Sequence, residues 1–222
     1  MFKNLQNATA HNDADAFVDQ GFDDGNIFSE NLLFLANIGV NAGKRLVKAQ
    51  TGGIDSHGNF NWWKDLRGPY GGRVTRAHYD NHGVSSTRWT NNIAVTDHSN
   101  PESESHFLAL GNHKFKEGLE VSNVVLSNNI YCHNDTTEGA RSSYAFFIFD
   151  HDGDSNISWP KESEISNNSI SGSGELKFVY WFRNGRDNSV PGPDQYGLHF
   201  VHENNRVDVR IANSKYRVKH TN

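Results

Sequence analysis

The chain has 222 residues, enough for one domain with a sizeable core, and its 14 Phe, 7 Tyr and 5 Trp exclude a disordered polymer. A net charge of -5, with the basic residues spread out, leaves no footprint for nucleic acid or an acidic membrane. The single cysteine, Cys132, excludes an intramolecular disulfide and a cysteine-only zinc site, and no segment reaches the roughly 18 apolar residues of a membrane span.

Residues 1–30 are polar, with acids at Asp13, Asp15, Asp19, Asp23 and Asp24, and read as an N-terminal arm or a first incomplete rung. Within them Ala14-Asp-Ala-Phe-Val18 suits a helical turn or an irregular strand. Met1-Phe-Lys-Asn-Leu-Gln lacks the apolar core of a secretion signal. Leu32–Ile38 reads as a strand, Gly39-Val-Asn-Ala-Gly43 as a loop and Lys44–Gln50 as a second strand. Residues 51–72 are Gly-rich around paired Trp62 and Trp63 and read as a long excursion from any regular winding. Val74–Tyr79 returns to a sheet, and Asp80-Asn-His-Gly83 turns again. Further strands are expected at 88–95, 106–111, 121–130, 144–149, 164–170, 176–182, 197–201 and 207–211, with long loops after Phe149 and Phe182. Residues 214–222 form a tail. No long helix is expected.

One stretch recurs. Arg88-Trp-Thr-Asn-Asn-Ile93, Val125-Leu-Ser-Asn-Asn-Ile130 and Glu164-Ile-Ser-Asn-Asn-Ser169 align on Asn92, Asn129 and Asn168, steps of 37 and 39 residues. Between them lie His106–Gly111, Tyr144–Phe149 and Leu176–Phe182, centred near Leu108, Phe147 and Val179 on a similar period. Two strand types on one period describe a chain that winds and lays each strand on its counterpart from the previous circuit. Asn suits the sharp corner of such a path. It tolerates the left-handed conformation, and its amide can bond to the Asn one rung away. A jelly roll would need more two-residue hairpin turns, and a propeller would need four strands per repeat.

These rungs resemble the right-handed parallel β-helix (pectate-lyase-like) superfamily over roughly residues 30–213. The Asn-rich, aromatic-rich style with long corner loops is most similar to bacteriophage tailspikes and capsule depolymerases. The expected fold is therefore all-β, a right-handed parallel β-helix with long loops at the corners, covering 31–213. The tailspike likeness implies a homotrimer on a virion surface, or otherwise an extracellular protein, with bacterial polysaccharide as partner. It carries no catalytic signature, because neither the Arg-x-Pro-x-x-Arg of pectate lyases nor the Asp-Pro-His-Glu of alginate epimerases occurs. A non-catalytic receptor-binding segment and a secreted bacterial lyase are the alternatives.

The candidate sugar platforms are Trp62, Trp63, Tyr70, Trp159, Tyr180 and Trp181. Hydrolysis needs two carboxyl groups, and Asp150, Asp152 and Glu203 are the candidates. Elimination needs cations beside the substrate carboxylate and a proton acceptor, roles open to Arg183, Lys177, His199 and His202. No cofactor is expected. Asp150-His-Asp-Gly-Asp154 echoes the start of a calcium loop through Asp150, Asp152 and Asp154, but Ser155 and Lys161 replace its Gly and Glu. A transition-metal pair at His78 and His82 is a further open alternative.

Overall fold

The structure is a computed structural model that describes residues 1–5, 15–19, 32–42, 45–49, 54–64, 74–82, 87–97, 103–112, 124–134, 143–150, 163–173, 176–183, 200–203 and 206–210. Every element in these residues is a strand, and every pairing is parallel. The strands form three sheets. The first holds β1 (Phe2–Leu5), β4 (Ile38–Ala42), β7 (Phe60–Trp63), β10 (Ile93–Thr96), β13 (Ile130–His133), β16 (Ser169–Ser173) and β19 (Arg206–Arg210). The second holds β2 (Asp15–Asp19), β5 (Arg45–Ala49), β8 (Val74–His82), β11 (Ser103–Asn112), β14 (Ser143–Asp150) and β17 (Leu176–Arg183). The third holds β3 (Leu33–Leu35), β6 (Asp55–His57), β9 (Arg88–Thr90), β12 (Val125–Ser127), β15 (Ser163–Ser166) and β18 (Phe200–Glu203).

The chain visits the sheets in fixed rotation, so each circuit adds one strand to each sheet. This order is compatible with a parallel β-helix. A parallel neighbour cannot be reached by a tight hairpin, and here the two other sheets supply the crossover.

The corner from the third sheet to the first is always two residues long, as between Leu35 and Ile38 or Ser127 and Ile130. Its first residue is left-handed: Ala36, Gly58, Asn91, Asn128 and Asn167 have φ of 51, 65, 55, 56 and 54°. Asn carries little penalty there, and Gly58 none. Its second residue is always Asn. The Oδ1 of Asn59, Asn92, Asn129 and Asn168 accepts from both the backbone N–H and the Nδ2 of the Asn one circuit earlier, at 2.8–3.3 Å. Each Nδ2 also donates to a third-sheet carbonyl, as from Asn129 to Trp89 and from Asn168 to Leu126, both 2.8 Å. Asn59, Asn92, Asn129 and Asn168 are buried, so the ladder satisfies groups that water cannot reach.

Several sequence expectations are corrected here. The Asn-Asn-Ile stretch is not one strand closing on Asn but two strands with the corner between them, which makes three strands per circuit. Residues 51–72 are not wholly an excursion, because β6, the Gly58-Asn59 corner and β7 lie inside them. Gly there replaces the first Asn and Phe60 replaces Ile, which hides the repeat. The expected loop at 39–43 is largely strand β4. Of the helical turn and irregular strand that both suit Ala14–Val18, Asp15–Val18 is strand, within β2. Within residues 1–30, expected as an arm or a first incomplete rung, β1 pairs with β4 and β2 with β5. The expected strands at 106–111, 144–149 and 176–182 stack as foreseen, with Leu108 beside Phe146 and Phe146 beside Val179. The tail 214–222 lies outside the described residues.

Phe34, Leu46, Ile54, Tyr79, Trp89, Phe107, Leu126, Tyr131, Phe146 and Ile170 form one interior cluster. In β5 all five residues are buried, including Arg45, whose Nη1 meets both carboxylate oxygens of Asp15 at 3.1 Å. The interior also holds a polar chain with only one consistent direction. Ser105 O can only accept, so Tyr131 donates to it at 3.1 Å and must accept from Thr96 at 3.2 Å. Thr96 then accepts from His78 Nε2 at 2.9 Å, and His78 Nδ1 accepts from Asn61 Nδ2 at 2.9 Å. The His78 ring stacks on Trp63 with centroids 3.7 Å apart. Gly39 makes room for Asn61. A Cβ at Gly39 would stand 2.6 Å from Asn61 Oδ1 and 2.8 Å from Leu46 Cδ1.

Candidate functional site: the outer face of the third sheet

Third-sheet strands are short, and in β3, β6, β9 and β12 the middle residue points inward: Phe34, Ser56, Trp89 and Leu126 are buried. Of the residues on either side, Leu33, Leu35, Asp55, His57, Arg88 and Val125 are exposed or half-exposed, whereas Thr90 and Ser127 are buried. One outer row runs Leu33, Asp55, Arg88, Val125, Glu164 in register. A second register row runs from the exposed Leu35 and His57 to the buried Thr90, Ser127 and Ser166, and Glu203 pairs with Ser166 one circuit on. Beside that row, the left-handed corner residues Asn91, Asn128 and Asn167 are exposed on three consecutive circuits. Parallel strands stack about 4.8 Å apart, so these groups recur at that interval.

The rows are bonded laterally. His57 Nδ1 lies 3.0 Å from Thr90 Oγ1 and 3.2 Å from Asn91 Nδ2. An amide nitrogen only donates, so Nδ1 accepts in this arrangement. Asp55 and Arg88 are register neighbours, and the Ser166 hydroxyl donates to Glu164 Oε1. The exposed part of the face thus offers amides, an imidazole and both signs of charge.

The outer face of the first sheet differs. Its rows are Ile38, Phe60, Ile93, Ile130 and Val40, Trp62, Val95, Cys132. All eight are exposed or half-exposed. Lys64 Nζ sits 5.6 Å from the Trp62 ring centroid.

The residues nominated from the sequence are spread over the three sheets. Asp150 and Arg183 are register partners at the ends of β14 and β17. Lys177, Tyr180 and Trp181 lie on β17 opposite Tyr144, Phe147 and Ile148. Glu203 ends β18 on the third sheet, next to His202, which pairs with Ile165. Trp62 is half-exposed on the first sheet. Trp63 is fully buried against His78, so its ring is part of the interior and offers no sugar platform. Both ring nitrogens of His78 are engaged by Asn61 and Thr96, which leaves none for a metal shared with His82. Tyr70, Asp152, Asp154, Trp159 and His199 lie outside the described residues. Among the described residues, no group of three His, Cys, Asp or Glu side chains is placed to hold a metal.

Sequence reasoning missed His57, Asn91, Asn128, Glu164 and Asn167 as a surface. The signal was present, since they lie beside the inward residue of a third-sheet strand or open the corner that follows it. Reading the motif as one continuous strand concealed it. No family model, curated protein or solved structure matches the chain.

Proposed function

We propose that the chain is a right-handed parallel β-helix of the tailspike kind that binds bacterial surface polysaccharide along the outer face of the third sheet. The observation that supports this most is the exposed series Asn91, Asn128 and Asn167 beside the His57–Ser166 row. A polysaccharide is a repeating ligand with hydroxyls that both donate and accept. A carboxamide on each circuit offers both functions at a repeating interval.

In this reading the protein depolymerises the bound chain through carboxylates, and Asp150 and Glu203 are the groups assigned. Glu203, in register with Ser166, is the carboxylate on the third sheet, while Asp150 lies on the second sheet in register with Arg183. Arg183 and Lys177 are the cations assigned to substrate carboxylates, and Tyr180 or its neighbour Trp181, whichever faces outward on β17, is the ring assigned to stack on a sugar. A homotrimer on a virion is part of the same proposal, and the apolar outer rows of the first sheet are the surface assigned to subunit contact.

The experiment is calorimetric titration of the protein with capsular and O-antigen polysaccharides, both neutral and acidic, followed by product analysis. Saturable binding is expected, with new reducing ends for hydrolysis or an absorbing unsaturated uronate for elimination. Absence of binding across such a panel would sink the reading. Binding without products would leave a receptor-recognition protein.

A further inference from the structure

Two arginines stand in opposite settings. Arg45 is buried, and its Nη1 meets both carboxylate oxygens of Asp15 at 3.1 Å. Arg88 is exposed, and among the described residues its guanidinium makes no hydrogen bond or ion pair. Asp55 is its register partner one circuit earlier, about 4.8 Å along the axis, yet the two side chains do not pair. An exposed pair of this kind gains little over hydration, so both charges stay open to a ligand.

The charges on this face follow an order. Among the described residues Arg88 is the single Lys or Arg of the third sheet. Its outer row runs Leu33, Asp55, Arg88, Val125, Glu164. One circuit before Arg88 stands an acid, and one circuit after it an aliphatic residue. Two circuits after it stands a second acid, Glu164, whose Oε1 accepts from the Ser166 hydroxyl. Beside the row, the exposed side chains of Asn91, Asn128 and Asn167 carry no charge. An anion is therefore attracted at one place and repelled on either side of it.

We propose, on the reading of the third sheet as the sugar-binding face, that Arg88 holds the carboxylate of one acidic sugar and that the sugars on either side are neutral. The ligand class is thus a sparsely acidic polysaccharide, with a hexuronate set among uncharged sugars. A guanidinium is a planar fork of N–H donors that meets a carboxylate with two parallel charge-assisted bonds. His57 lies on the circuit before, with Nδ1 bonded to Thr90 and Asn91, and its ring flanks the same subsite. Asp55 and Glu164 reject a second carboxylate nearby, and specificity is built from such repulsion as much as from attraction. Arg183 and Lys177 belong to the second sheet, so on this face the role falls to Arg88.

The probes are bacterial capsular polysaccharides with one hexuronate per repeat of otherwise neutral sugars, each titrated calorimetrically beside its own carboxyl-reduced form. Polygalacturonate, with a carboxylate on every sugar, is the third probe. At low salt the native polymer is expected to bind about tenfold more tightly than its reduced form, the low end for a charge-assisted bond. In Arg88→Gln protein, whose altered side chain is exposed and makes no contact to lose, that ratio should fall to about one. Polygalacturonate should bind more weakly than the sparsely charged polymer, and Asp55→Asn/Glu164→Gln protein should narrow that gap. Equal affinity for native and reduced polymers, or a ratio unchanged in Arg88→Gln protein, would overturn the role of Arg88 and leave the face a sugar-binding one. Absence of binding by every polymer would overturn the reading of the face and the subsite together.

Discussion

The outer faces of the first and third sheets are made by the same circuits and meet at the same two-residue corner, yet they have opposite character. One presents Ile38, Phe60, Ile93 and Ile130 in a row, and the other presents Asp55, His57, Arg88 and Glu164 beside the exposed carboxamides of Asn91, Asn128 and Asn167. Between the two faces runs the buried ladder. The difference teaches that the interior and its corner set the path of the chain, while outward positions are free to take a separate chemistry on each sheet. A repeating fold thereby turns one side-chain choice into a stripe.

The comparison can be broken at its shared corner. Asn129→Ala removes the acceptor for two donors of Asn92 and the donor to Trp89 O. Stranded buried polar groups cost about 1–3 kcal/mol each, so a loss of roughly 3–5 kcal/mol is expected by denaturant titration. A variant as stable as the parent would show that the ladder does not hold the circuits. Next in size is Gly39→Ala. Its Cβ meets Asn61 Oδ1 at 2.6 Å, and overpacking of this kind costs about 1–3 kcal/mol.

Tyr79→Phe probes the interior behind both faces. The hydroxyl donates to Asn59 O at 3.2 Å and Ile93 O at 3.0 Å, so its loss should cost about 1 kcal/mol. Burial holds the Tyr79 pKa well above its ordinary value, so the folded state favours the neutral phenol. That stability is complete below the unfolded value of about 10 and is lost as pH rises through the higher folded value. Stability against alkali, followed by circular dichroism, should decline less steeply in the variant. On the apolar face, Ile93→Lys/Ile130→Lys should change the stability of a single chain by about 0.5 kcal/mol or less. It should lower the solution mass while leaving polysaccharide binding per chain intact. Unchanged mass would remove the first sheet as a subunit contact.

How far the sequence revealed this comparison depends on where its period could be seen. The Asn-Asn corners stood out because both positions obey one demand per circuit, a left-handed backbone and a stacked amide. The long strands of the second sheet were equally legible, since apolar runs such as Tyr144–Phe149 stack on like runs. Gly58-Asn59 escaped because Gly meets the left-handed demand better than Asn and breaks the motif. Ala36-Asn37 was blurred in the same way. The division of each motif between two sheets was not legible. A three-residue strand is too short for its alternation to be counted, and the corner adds two residues that preserve the look of a continuous run. The outer rows followed from that division, so the polar face could not be assembled beforehand. The carboxylate candidates were chosen from loops, where no repeat fixes position.

The polar face is tested most directly by replacing Asn91, Asn128 and Asn167 together with Gly. Gly accepts the left-handed backbone without penalty, so stability should stay within about 1 kcal/mol of the parent while the exposed carboxamides vanish. Calorimetric titration of parent and triple variant with the same surface polysaccharide should show saturable binding by the parent and none by the variant. Equal binding by both proteins would contradict the account.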